Sequence, residues 1–477
     1  MTQLIIREFQ PLDYLKEKQM EQIHLGAMEA LEGDGVEFFL PEARNTLQKA
    51  GAKVQGDNVF IPRELVTEQV ALAPSEFTLH ARNPEKNVIV GGNNTVTAPG
   101  YGSPYIMDYI QQKRRSSEYK DYIAFTKLTA NSNNFDVTGG VLVEPNDVPD
   151  HLRHAKMFQA AVKHSDKCLM GSAMGQKKAE ESLEMAGLLF GGVNGVRRNP
   201  ALISLINTQS PLQFDRRMLE AMMVYARNNQ PVLISALAMT GTTSPVTLAG
   251  SLVQQVAEIL SGVVLAQLIN PGTPVVFGSS SSVVDLRTGD LAIGSPESTK
   301  MFCAIAQMAR YYGLPSRGGG ALTDSLSPDA QSGYESMMVA LNCVLSGINF
   351  MLHSAGMLEN YMTMSYEKFI IDDEIMGMVG EFTRPMGFDK ENLAVDTILR
   401  HGSGGHYVGD EHTFKHMKET RIPLISSRDR YKAEGDYTDA AQQAHEYCKT
   451  VLENYQDPPL DEKIEEELNR YIENIKE

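Results

Sequence analysis

An imidazole set in an apolar run must find a hydrogen-bond partner or remain costly to bury. His353 stands in such a run, NFMLHSAG (Asn349 to Gly356), and is the one residue expected to be catalytic. Arg317 carries a planar guanidinium that can grip a carboxylate with two parallel N–H bonds. Tyr101, Tyr105, Phe214, Tyr361 and Tyr407 offer aromatic faces that attract a cation. The 477 residues include no Trp, so any aromatic cage must be built from Tyr and Phe. Asn207, Gln331 and His406 add polar contacts. Gly318, Gly319 and Gly320 in RGGGALTDS, and Gly404 and Gly405 in HGSGGHYVG, would let backbone approach a flat or anionic ligand closely.

Other chemistries lack their residues. Cys168, Cys303, Cys343 and Cys448 are scattered without CxxC spacing, which predicts free buried thiols in a reducing compartment. No Gly-Lys-Ser/Thr occurs, and neither glycine-rich piece matches GxGxxG in a dinucleotide-binding unit. His412 and His416 are four apart, but they lack a third ligand and stand among Glu411, Lys415 and Lys418, so no metal site is expected. A formal net charge of −17 argues against nucleic-acid and anionic-membrane partners. No run offers the ~20 continuous apolar residues that span a bilayer. The start, MTQLIIREFQPLDYLKEK, acquires charges too early for a secretory signal. A cytoplasmic protein is expected.

The elements that must hold these residues form a rhythm of apolar strand, polar loop, Ser-Pro and helix. Ser would cap exposed N–H groups, and Pro at the first helical position wastes no donor. ALISLIN leads to Ser210-Pro211, PVLISAL to Ser244-Pro245, PVVFG to Ser295-Pro296, and the glycine loop to Ser327-Pro328. FDVTGGVLV and CLMGSAM read as earlier strands, NFMLHSAG as a later one and TILRHGSGG (Thr397 to Gly405) as the closing strand. Alternating strands and helices imply a parallel sheet with right-handed crossovers. The expected fold is α/β: a (β/α)8 TIM barrel over 130–410, with an open doubly wound sheet as the rival. Residues 1–129 read as a helix and β-hairpin extension packed on the barrel, and 411–477 as a helical tail. In the tail Leu460, Ile464, Leu468 and Ile472 form a stripe that must pack on the barrel or on another subunit. A homo-oligomer is expected. In such a barrel reactive groups sit at the C-terminal strand ends. That selects Glu144, Asn207, Gln209, Ser279 to Ser282, the loop Arg317 to Ser325, His353 with Glu359 and Tyr361, and His406 with Tyr407.

Several longer stretches carry a resemblance. PYIMDYIQQKRRSSEYKD (Pro104 to Asp121), SPVTLAGSLVQQVAEILSGVVLAQLINPGTPVVFGSS (Ser244 to Ser280), LRTGDLAIGSPE, TDSLSPDAQSGYE and GGHYVGDEHT resemble, in the same order, segments of the trimethylamine methyltransferase superfamily. The resemblance implies a (β/α)8 barrel that passes a methyl group from an amine to Co(I) of a separate corrinoid protein, with no tightly bound cofactor of its own. Founding members carry pyrrolysine; this chain has none, and the region Asp324 to Gln331 is the expected place of its replacement. The absence points to quaternary amines. Gln111-Gln112, where many relatives have Thr-Gly, and the lack of Trp in RDRYKAEG are departures from the family's pattern.

A quaternary nitrogen already carries its charge, so the leaving group is a neutral amine. In-line displacement by Co(I) then needs positioning more than acid–base help. That matches a chain with no nucleophile triad. Tyr101, Tyr105, Phe214, Tyr361 and Tyr407 would hold the ammonium, Arg317 and His353 the carboxylate, and the two glycine loops would admit the corrin ring. Glycine betaine leads the expected substrates, ahead of proline betaine, carnitine and γ-butyrobetaine. Two other readings are a phosphate-substrate barrel lyase or isomerase, which a strand-end Lys would favour, and a non-catalytic betaine-binding protein.

Overall fold

Strands buried on both faces read as near-continuous apolar runs, and the central sheet has that character. The structure, a computed structural model, describes residues 5–428 and 438–476. All of RDRYKAEG but Arg428 lies outside them. Eight strands build the sheet: β1 (Ile5–Ile6), β2 (Asn94–Thr97), β3 (Leu169–Met170), β4 (Leu202–Asn207), β5 (Val232–Ala236), β6 (Val275–Ser279), β7 (Ser316–Arg317) and β8 (Phe350–Met351). Their spatial order is β1-β2-β8-β7-β6-β5-β4-β3. β1 is antiparallel to β2, and every other neighbouring pair is parallel. Helices Gln176–Phe190, Arg216–Arg227, Leu248–Ile269, Pro296–Tyr311 and Ala330–Leu345 connect consecutive strands from β3 to β8, and Tyr366–Thr383 follows β8.

The sheet curls. Asp136 and Val137 N–H both donate to the Thr97 carbonyl of β2, at 2.9 and 3.1 Å. Val137 also forms a parallel bridge with Cys168 at the start of β3. Residues 136–138 therefore lie against both β2 and β3.

Alternation of side chains then sorts the core. Leu202, Ile206, Val232, Ile234, Val275 and Phe277 pack outward against helices. Ile203, Leu205, Leu233, Val276, Phe350 and Leu352 pack together on the concave side. A hairpin, Glu76–Leu79 with Val88–Gly91, adds Phe77, Leu79, Val88 and Val90 to that inner cluster. His80 N–H reaches the Pro200 carbonyl just before β4, so the hairpin covers the N-terminal ends of the strands.

Some expectations need correction. TILRHGSGG is not a strand. Val395–His401 is helical, and the turn after it is exposed. Asp410 holds Arg400 at 2.6 Å and His401 at 2.7 Å, which ties the end of this helix. The neighbour of β8 is instead β2, from the stretch NTVT that reads as a hairpin arm. Of the four Ser-Pro pairs only Ser295-Pro296 caps its helix by the Ser hydroxyl. Asp215 and Asp329 cap two others through their carboxylates, and Thr247 precedes the last.

The helix read near the N-terminus spans Glu17–Gly33 and lies against Leu248–Ile269. The C-terminal helix Glu462–Glu473 packs on Asp150–His164 and Gln176–Phe190, burying Leu468 and Ile472 within the chain. Among the described residues Leu248–Ile269 is long and apolar enough to cross a membrane; 78% of its most apolar window is buried inside the fold.

Candidate active site

Inward positions are apolar along most of each strand and turn polar at the C-terminal ends. Asn207 ends β4, and Ser235 of β5 pairs with it in register. Gly278 of β6 pairs with both Ser235 and Arg317 of β7. Side chains opposite each other in a ladder share a face. Arg317 therefore lies over the same concave surface as Ser235 and Asn207.

Arg317 is 1% exposed. Its Nη1 donates to Ser235 Oγ at 3.1 Å, to the Ser279 carbonyl at 2.7 Å and to Ser280 Oγ. Its Nη2 lies 3.1 Å from His353 Nδ1, and its Nε has no partner. No carboxylate pairs with it among the described residues. Burial pulls its pKa down to about 10. Isolated buried charge is expensive, so this cation is a place where an anionic group would be welcome.

Burial, and then the neighbouring Arg317, hold His353 well below its ordinary pKa. An arginine only donates, so Nδ1 accepts and the neutral ring carries its proton on Nε2. The Tyr101 backbone carbonyl accepts from the ring and pulls the other way. His353 takes a left-handed φ of 63°, as do Glu359, Asn360 and Tyr361 at 50°, 53° and 73°. Such residues cost roughly 1–3 kcal/mol each and need rigid surroundings. Here Ser103 Oγ donates to the Tyr361 carbonyl at 2.9 Å, Glu359 N–H to the Ser325 carbonyl at 2.9 Å, and Arg114 pairs with Glu359 at 2.7 Å. The result sets the Tyr361 ring 4.7 Å from His353, with Tyr101 edge-on at 6.5 Å. Burial lifts both phenols to about 12, so both stay protonated.

The loop after β7 carries Asp324, which burial pushes up to about 6 against the pull of Gly294 N–H at 3.1 Å. Gln331 is bound to Glu335 at 3.0 Å, and Glu335 in turn takes Thr323 Oγ1 and Asp324 N–H. Asn207 Oδ1 is buried and unpartnered.

Arg317, His353, Tyr101 and Tyr361 thus come together, with Asn207 on the same face; other sequence candidates stand apart. Phe214 is fully buried and stacked on Phe38 at 5.3 Å, in the core between the sheet and its helices. Tyr105 already carries the Arg114 guanidinium over its ring at 4.4 Å. Gly318, Gly319 and Gly320 are enclosed: a Cβ on Gly319 would stand 2.2 Å from Cys343 Sγ, and one on Gly320 2.5 Å from the His353 carbonyl. They serve close packing rather than an open mouth. Gly404, Gly405, His406 and Tyr407 lie in the exposed stretch after Val395–His401, where Tyr407 meets the His401 ring at 5.0 Å.

Glu258 escaped the sequence reading. It is fully buried and accepts from Thr208 Oγ1, Ser210 Oγ, Leu212 N–H and Gln254 Nε2, so one carboxylate pins the loop after β4. A lone acid in the 22-residue apolar helix Leu248–Ile269 was the available signal.

This is an α/β enzyme-like architecture with a buried, cationic, aromatic-faced cluster at its strand ends. The trimethylamine methyltransferase (MTTB) family model matches residues 1–477, and the chain belongs to that family and is a methyltransferase. It is 46% identical over 460 residues, 96% of each chain, to the glycine betaine methyltransferase of Desulfitobacterium hafniense. It is 30% identical to the proline betaine:corrinoid methyltransferase of Eubacterium limosum, over 96% of this chain and 97% of that one. The crystal structure of Methanosarcina barkeri monomethylamine methyltransferase shares the fold, with a TM-score of 0.51 at 12% identity, covering 94% of this chain and 90% of that one.

Proposed function

We propose that this chain transfers a methyl group from glycine betaine to Co(I) of a separate corrinoid protein, releasing dimethylglycine. The observation that carries the reading is Arg317, a buried guanidinium without a carboxylate partner among the described residues, bonded to His353, whose ring meets those of Tyr361 and Tyr101. A betaine is the matching shape: a carboxylate for the cation and a trimethylammonium for the aromatic faces. In the transfer the N–CH3 bond breaks, its electron pair stays on nitrogen, and the methyl carbon bonds to cobalt. Neutral His353 and the two protonated phenols need move no proton, and the protein's part is to align the N–CH3 bond with the acceptor.

In this reading the chain forms a closed (β/α)8 barrel over residues 94–383. The contacts of residues 136–138 with β2 and with β3 support it, since they supply an eighth parallel strand. Residues before 94 and after 383 are then an N-terminal cover and a C-terminal extension. Gly318 to Gly320 are enclosed and lie apart from any corrin-facing surface in this reading.

The test mixes the protein with a reduced corrinoid protein and a panel of amines, following the spectral change from Co(I) to methyl-Co(III). Glycine betaine should react and trimethylamine should not. Reaction with trimethylamine alone would end the proposal, and so would no reaction at all. Faster transfer from proline betaine or carnitine would move the substrate within the class.

A further inference from the structure

The helix Tyr366–Thr383 carries a buried ion pair that faces the two loops on which Arg317 and His353 depend. Lys368 and Asp372 are one helical turn apart, and both side chains are fully buried. Lys368 Nζ donates to Asp372 Oδ1, to Ser336 Oγ at 2.9 Å and to the Ala321 carbonyl at 3.4 Å. Asp372 Oδ2 accepts the Gly356 N–H at 2.7 Å. The pair therefore holds one residue in the loop after β7 and one in the loop after β8.

Those two residues bracket His353. Ala321 N–H donates to the His353 carbonyl at 2.9 Å, and Gly356 lies three residues beyond His353. Gly356 has a φ of 87°, and a Cβ there would stand 2.5 Å from Met364 Cε, so its backbone is held to one path. His353 N–H is fixed by the Pro99 carbonyl at 3.0 Å. With Pro99 on one side and the ion pair on the other, the left-handed backbone at His353 is constrained from both ends.

We propose that Lys368 and Asp372 are positioning residues, which act through Ala321 and Gly356 to hold the His353 imidazole ring in register with Arg317. The inference rests on reading Arg317 and His353 as the substrate site. A merely structural pair could be exchanged for apolar residues of like size at a modest cost in stability and none in transfer, since buried ion pairs often contribute little net stability. A positioning pair could not, because small displacements at a reacting centre are costly in rate.

The experiment compares wild type with K368M/D372L. Thermal melting reports the fold. The methyl-transfer assay gives kcat and KM for glycine betaine. Imidazole 15N resonances of His353, assigned by their loss in His353→Gln, report the tautomer. Melting should fall modestly, because the Gly356 N–H and the Ala321 carbonyl lose their partners, transfer should fall by about ten- to a hundredfold, and the single Nε2–H signature should broaden or split. Wild-type transfer with an unchanged His353 spectrum would overturn the proposal. Should wild type itself fail to use any betaine, the substrate reading falls, while the His353 spectrum still decides the positioning. Should the double variant fail to fold, Asp372→Asn takes its place. It keeps an oxygen for Gly356 N–H but removes the charge that faces Lys368. A split His353 spectrum there supports the proposal, and an unchanged one overturns it.

Discussion

Arg317 Nη2 stands 3.1 Å from His353 Nδ1, and that contact fixes the protonation state of the imidazole. A guanidinium has no lone pair to offer, so a protonated ring could not keep this bond. The burial that lowers the histidine acts in the same direction.

The pH dependence of stability follows. Unfolded, His353 titrates near ~6.5; folded, it is held well below that. As pH falls below about 6.5 the unfolded chain takes up the proton first, so stability present at higher pH is lost. Wild type should therefore lose more melting temperature between about pH 7.5 and about pH 5.5 than His353→Gln does. Parallel pH profiles for the two proteins would show that His353 is not held neutral.

Arg317 is expected to recognise the carboxylate of the substrate. Arg317→Lys keeps a charge but loses the planar fork, and should raise KM for glycine betaine by about tenfold or more. Binding of a quaternary amine without a carboxylate, such as choline, should change far less. Equal losses for both ligands, measured by calorimetry, would mean that Arg317 shapes the cavity rather than reads the anion.

Tyr361 is expected to meet the ammonium with its ring rather than its hydroxyl. Tyr361→Phe should keep near-wild-type affinity for glycine betaine. Tyr361→Ala should forfeit one cation–aromatic contact of ~0.5–2 kcal/mol, about a two- to thirtyfold rise in KM. If Phe weakened binding as much as Ala, the phenol oxygen would be the contact instead.

Much of this was readable in the residues, and the failures have physical causes. β4, β5 and β6 announce themselves because a two-sided sheet leaves uninterrupted apolar runs. His353 was legible as a polar residue in such a run and Arg317 as the first residue of a glycine loop, whereas the two-residue β7 that carries Arg317 was not. β2 was not: NTVT is short and mostly polar, and its partners are remote, β1 near the start of the chain and β8 more than 250 residues later. Phe214 was misread for the same reason. Its environment is Phe38 from the short strand Val36–Phe38, a contact no local pattern carries. The glycines after Arg317 looked like a ligand cradle, yet their freedom is used to press one loop against Cys343 and the His353 carbonyl.

That close packing gives a test of its own. Gly319 has a φ of 64°, and an added Cβ would stand 2.2 Å from Cys343 Sγ. Gly319→Ala should destabilise the protein by roughly 1–3 kcal/mol through overpacking, beyond the left-handed strain an Ala must bear there. Cys343→Ala removes the sulfur and opens space at that contact. The double variant should then lose less than the two single variants combined, because the substitutions share one contact. Denaturant melts of all four proteins measure the coupling. Strict additivity would mean that backbone strain, and not the thiol, sets the need for glycine at this position.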